Sequence, residues 1–203
     1  IGKEVLEKTG KPLDSEVAGE PDLLMIMLQS AGTWMFDEEG EPFIEDNDVL
    51  REIVEVYAEL VKSGVIVEVN DWDQYISSFN SGTVAGTING CWIIGSIVPQ
   101  EDQKGLWNIT NIPKLGKASN ATNYSNQGGS SWMVLSSSEN PDVAIDFLAN
   151  TFAGSVDLYE TILPSSGAIA TYLPAGDSDV YSDPHEFFDG QPIYSDIVEF
   201  SDN

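Results

Sequence analysis

The stretch Phe79-Asn80-Ser81-Gly82-Thr83-Val84-Ala85-Gly86-Thr87-Ile88-Asn89-Gly90-Cys91-Trp92 reads as a helix end, a glycine stop, a short strand and an aromatic ring presented on a glycine turn. Upstream of it, Asp71 is placed to cap a helix, Gln74 follows as in a capping box, and Tyr75, Ile76 and Phe79 form a core-facing stripe. Gly82 ends that helix. Thr83 to Asn89 is small and β-branched, which predicts a buried strand. Asn89-Gly90 is a turn dipeptide that sets Trp92 at the strand's carboxyl end, where open α/β sheets hold ligands. The motif alone leaves two readings of Trp92 open, a core ring near a turn and a ligand contact.

Working outward, Asp48 to Ser63 is the clearest helix: Val49, Leu50, Ile53, Val54, Tyr57, Leu60 and Val61 repeat at helical spacing, acidic residues precede it and Gly64 follows. Its amphipathic pattern predicts that one face covers a sheet. Gly2 to Thr9 reads as a further helix. Val65 to Val69 is a candidate strand or extended connector, and Leu106 to Ile112 and Trp132 to Leu135 are candidate strands. Asn140-Pro141 opens another helix, Asn as cap and Pro in the first turn, with Val143, Ala144, Phe147, Leu148 and Phe152 as its buried stripe. Beyond Gly154, Pro164, Pro174, Pro184 and Pro192 predict irregular structure with short helices. Helix and strand signals alternate, which predicts an α/β architecture. A boundary is expected near Ser155, giving an α/β domain over 1–154 and a separate segment over 155–203.

Composition excludes several functions. The chain of 203 residues carries a formal charge of -26, from 34 acidic against 8 basic residues. Such a surface repels nucleic acid and anionic membrane, both of which are bound through clustered Lys and Arg. With 41% hydrophobic residues in periodic runs, the acidity is not a sign of disorder. Cys91 is the single cysteine and His185 the single histidine, so neither a disulfide nor a His/Cys zinc set is expected. His185 is expected at the surface. No nucleophile elbow, dinucleotide fingerprint or phosphate loop is present. The acidic runs 37–41, 45–48 and 177–179 read as solvated loops or helix starts, since none fits a calcium loop. No catalytic residue, metal or cofactor is therefore expected. Five Trp, seven Tyr, and Asn, Gln, Ser and Asp near glycine turns form a binding inventory: flat apolar rings beside hydrogen-bonding groups suit a sugar.

The chain resembles the extracellular solute-binding protein family 1 of bacterial ABC importers. The likeness rests on Glu20-Pro21-Asp22 with Gly32 following, on the helix from Asp48 and the unit from Asp71 to Trp92, on Gln127-Gly128-Gly129-Ser130-Ser131-Trp132-Met133-Val134-Leu135, and on Asn140 to Phe152 and Ser165 to Ala170. It is collinear over nearly the whole chain. The resemblance implies a periplasmic-binding-protein type II lobe, a mixed sheet flanked by helices, as part of an incomplete clamshell. It implies an excised piece covering mainly the carboxyl lobe, with 155–203 as hinge and return segment. Trp92 would stack on a sugar, Glu20 and Asp22 would accept hydroxyl protons at a helix opening, and Asn126, Gln127, Gly128 and Gly129 would form a polar turn beside them. Asp22 stands where the family has an aromatic. Trp34 and Trp72 are further candidates, each equally readable as core. The implied function is to bind a carbohydrate, an oligosaccharide by expectation, between two lobes and deliver it to ABC permease transmembrane subunits. A monomer is expected, extracellular or periplasmic and lipid-anchored at the cell surface. The rival is a carbohydrate-active hydrolase using a carboxylate pair, revealed by release of reducing sugar. A third reading is a surface adhesion domain without a small ligand.

Overall fold

The computed structural model describes residues 1–201, and its chain divides into two compact units. The first comprises 1–90 and 111–127, the second 91–110 and 128–203. Residues 154 and 155, where the sequence reading sets its boundary, both belong to the second unit.

The first unit is an α/β layer. Helix α1 (Gly2–Thr9) leads to strand β1 (Asp14–Val17), then to helices α2 (Asp22–Ser30) and α3 (Asp48–Lys62), strand β2 (Ile66–Val69) and helix α4 (Trp72–Asn80). The two strands pair in parallel, Asp14 opposite Ile66 and Val17 opposite Val69. Parallel strands need a crossover, and α2 and α3 supply it. Helix α2 lies between two apolar clusters: Leu28 and Ala31 pack with Ile53 of α3 and with Leu115, while Leu23 packs with Val65 and Ile66. Val54 departs from the expected stripe and is exposed, because it sits about 100° round the helix from the buried Ile53.

Helix ends follow their sequence signals in this unit. Asp71 Oδ1 accepts from the Gln74 amide at 2.9 Å, while the Gln74 side chain turns back to the Asn70 amide at 3.2 Å, one residue short of a closed capping box. Asn47 caps α3 by accepting from the Leu50 amide at 2.9 Å, and its amide donates to the Trp34 and Phe43 carbonyls. Gly82, at φ 67°, follows α4 in the left-handed conformation that ends it.

The expected strand over 83–89 does not form a ladder. Its segment runs beside β1 but is held by single bonds, the Ala85 amide to the Pro12 carbonyl and the Ile88 amide to the Asp14 carboxylate. A buried side chain thus replaces the backbone acceptor that a strand partner would offer. Trp92 accordingly sits within a 3-10 turn (Cys91–Ile93) and not at a strand end.

The second unit is helical: α5 (Ile94–Ile97), α6 (Pro141–Asn150), α7 (Val156–Ser166), α8 (Leu173–Gly176) and α9 (Ile193–Ser201), with 3-10 turns between. Leu163, Ala175, Tyr181, Phe187, Phe188 and Ile193 are its buried residues of least exposure. The expected strand over 106–112 is replaced in the same way as 83–89: the Gln191 side-chain amide bonds both the amide and the carbonyl of Ile109, each at 2.8 Å, and occupies the ladder position. Trp132–Leu135 pairs with no strand among the described residues, and Trp132, Met133 and Leu135 are exposed. The stripe of α6 is likewise uncovered, with Val143 68% and Phe147 59% exposed, and Asn140 makes no side-chain cap bond. Periodicity identified the helix but not what lies against it. His185 is partly covered, its ring packed edge-on against Phe188 and Tyr194.

Candidate functional site

Strand β1 is polar and buried. Asp14 and Ser15 have no exposed surface and Glu16 is 7% exposed. Alternation sends Ser15 to one face, where its hydroxyl pairs with that of Ser78 at 2.7 Å, and Asp14 and Glu16 to the other. Unpaired buried polar groups cost roughly 1–3 kcal/mol each, so such a strand has to be read bond by bond. Asp14 is satisfied: Oδ1 accepts from the Ser15 amide at 2.8 Å and Oδ2 from Ile88 at 2.9 Å. Glu16 Oε1 is buried with no hydrogen-bond partner.

Glu16 stands on the wall of a cavity of about 360 Å³, within the size range of small-molecule sites. The end of β1 contributes Glu16 and Val17, and the turn into α2 contributes Glu20 and Asp22. The turn after β2 and the start of α4 bring Asn70, Asp71, Trp72 and Tyr75, and Ile88, Asn89 and Gln127 complete the wall. Every lining residue belongs to the first unit. The carboxyl ends of both parallel strands open here, the place where α/β sheets hold ligands.

The wall is ordered by its own bonds. Trp72 and Tyr75 have ring centroids 5.1 Å apart and form the aromatic side, Trp72 being 43% exposed. The Tyr75 hydroxyl accepts from Asn89 Nδ2 at 2.8 Å. Gln127 accepts from the Gly90 amide at 3.1 Å and donates to Asp22 Oδ2 at 2.8 Å, which fixes both side chains at the opening of α2. Four carboxyl groups line the cavity, Glu16, Glu20, Asp22 and Asp71, and no lysine, arginine or histidine does. Burial, and then the charges of Asp14 and Asp22, push the Glu16 carboxyl up to about 8. Burial pushes Asp14 up to about 7 against the pull of its two amide donors. Burial and the Asp14 charge raise the Tyr75 hydroxyl, which stays neutral.

Of the residues singled out in the sequence, Glu20, Asp22, Gln127 and Trp72 meet at this cavity. Asn126 does not line it; its amide donates to Gln29 Oε1 at 3.1 Å. Trp34 packs against the Leu28 and Ile53 cluster. Trp92, Gly128 and Gly129 belong to the second unit, where Gly128 and Gly129 form the expected turn at φ 79° and 116°. A Cβ on Gly128 would meet the Trp92 indole nitrogen at 3.5 Å. Glu16, Tyr75 and Asn89 line the cavity though the sequence reading does not place them in the site, and Tyr75 is also the buried core residue that its helical spacing predicts. The signal for Glu16 was available: three consecutive polar residues, Asp14-Ser15-Glu16, just upstream of the Glu20-Pro21-Asp22 helix opening.

An aromatic wall facing amides and carboxylates, at the end of parallel strands, is a surface for a small polar ligand. The chain belongs to the bacterial extracellular solute-binding protein family, whose model matches residues 15–188. It is similar to a lactose-binding protein of Rhizobium radiobacter, 39% identical over 200 residues, which cover 98% of this chain and 47% of the relative. The chain therefore spans about half the length of the relative it matches.

Proposed function

We propose that this chain forms one lobe of the substrate-binding component of a bacterial ABC importer and that its cavity holds a carbohydrate. The observation that carries the reading is the composition of one wall. The exposed Trp72 ring offers a flat apolar face, while Glu20, Asp22, Asn89 and Gln127 offer donors and acceptors to a rim of hydroxyls. The likeness to a lactose-binding protein supports a disaccharide or short oligosaccharide as ligand. In the whole protein the sugar is gripped between this lobe and a second one, residues 155–203 return toward the hinge, and the closed form is presented to the permease. The protein acts as a monomer outside the cytoplasmic membrane, held to the surface by a lipid. It binds without turnover.

Titration calorimetry of the full-length protein against lactose, malto-oligosaccharides, xylo-oligosaccharides and galacto-oligosaccharides tests the ligand class. Saturable binding of one of them is the expected result, and no heat with any of them contradicts the proposal. The same mixtures, chromatographed after incubation, should contain the sugars intact. Protein-dependent shortening would establish the hydrolase instead.

A further inference from the structure

We propose that Glu16 is the specificity-determining residue of the cavity, hydrogen-bonding a hydroxyl of the bound sugar from its inner wall, and that the cavity in consequence rejects acidic sugars. This inference rests on the carbohydrate reading above and adds a residue that neither the resemblance nor the family match assigns.

Asp14 and Glu16 share a face of β1 and are both buried, but each oxygen of Asp14 accepts from a backbone amide whereas Glu16 Oε1 has no partner. A carboxyl kept for structure is bonded as Asp14 is. Glu16 instead borders open volume, so the missing partner has a place from which to come. The groups facing it are Asp14 on its own strand, Asp22 on α2, Tyr57 on α3 and Tyr75 on α4, with Glu20 and Asp71 also on the cavity wall. None of these is a cation. Buried first and crowded by acids second, the carboxyl holds its proton up to about pH 8, and in that form it donates and accepts together, which matches a sugar hydroxyl. A ligand carboxylate would instead meet the acidic groups of Glu20, Asp22 and Asp71 with no cation on the wall to offset them.

The test uses the full-length protein with lactose as probe and, as comparison, the analogue in which the galactose C6 is oxidised to a carboxylate. Glu16→Gln keeps a neutral donor and acceptor and should bind lactose within a few-fold of wild type at pH 7, while Glu16→Leu should lose at least about tenfold. Wild-type affinity should fall between about pH 7 and 9, as ligand burial disfavours the ionised carboxyl, and Glu16→Gln should be flat over that window. The acidic analogue should bind at least about tenfold more weakly than lactose. Wild-type affinity in Glu16→Leu overturns the assignment, as does an unchanged pH profile in Glu16→Gln, which decides the matter if Glu16→Leu fails to fold. Equal affinity for the two sugars overturns the selectivity. Failure of the wild type to bind any sugar overturns the carbohydrate reading and this assignment with it, a result distinct from the others because it is seen before any substitution is made.

Discussion

At the scale of single residues, the weight of the molecule falls on the buried polar strand Asp14-Ser15-Glu16. Asp14 joins β1 to the segment 83–89 through the Ile88 amide, so Asp14→Ala leaves that half-buried amide without its acceptor. Its expected cost is about 2 kcal/mol in denaturant melts, against less than about 0.5 kcal/mol for an exposed carboxylate such as Glu38. Equal effects of the two substitutions would contradict the role given to Asp14. The strand also sets a pH dependence. In the folded chain Asp14 and Glu16 hold protons up to about 7 and about 8, whereas unfolded they release them near their ordinary values of 3.8 and 4.5. The folded state thus binds more protons over that window, and its stability falls as pH rises through it. Glu16→Gln removes one of the two titrations, so its stability should decline less steeply than that of wild type between about pH 5 and 8. Parallel profiles would show that Glu16 titrates as it does in the unfolded chain. None of this was legible from propensity, since Asp, Ser and Glu are poor strand formers and their burial follows from what packs over them.

At the scale of elements, the sequence was a good guide to helices and a poor one to pairing. Asp71, Gly82 and the stripe ending at Phe79 define α4 because caps and stops act within a few residues. The regular spacing of Leu50, Ile53 and Tyr57 likewise locates α3. Strand pairing depends on distant partners, and at 83–89 and 106–112 the partners are side chains, Asp14 and Gln191, which no local pattern announces. Val65–Val69 reads as a strand or extended connector, and Ile66–Val69 forms β2, because its apolar start enters a cluster with Leu23. Asn47 shows how much one cap can hold. It ends the acidic loop, starts α3 and ties down the Trp34 and Phe43 carbonyls. Asn47→Ala should destabilise the chain by about 2 kcal/mol, about half from the lost cap and half from the stranded carbonyls. Asn47→Asp keeps the cap but not the donors and should fall between the two. Wild-type stability in Asn47→Asp would contradict the carbonyl bonds, and equal losses in the two variants would contradict the cap.

At the scale of the whole molecule, the candidate site was half visible in advance. The family resemblance led to Glu20, Asp22 and Gln127, which do meet, while Trp72 supplies the exposed ring at the cavity and Glu16 a further acid on its wall. A tryptophan in the first turn of a helix looks the same in sequence whether it faces core or cavity. The chain spans about half the length of its lactose-binding relative, and if, as proposed, the sugar is held between two lobes, one lobe alone offers fewer contacts and less exclusion of water. The 203-residue chain alone should therefore bind the sugar far more weakly than the full-length protein, a fall from micromolar to about millimolar being about 4 kcal/mol. Equal affinity by calorimetry would place the entire site in this piece. The claim on which the account turns is that the ligand occupies the cavity of the first unit and stacks on its ring. Calorimetry of Trp72→Ala and Trp92→Ala in the full-length protein, each checked for fold by circular dichroism, addresses it directly. The account predicts a loss of at least about tenfold for Trp72→Ala with the fold retained, and a smaller loss for Trp92→Ala. Wild-type affinity in Trp72→Ala, with the loss falling on Trp92→Ala, would contradict it.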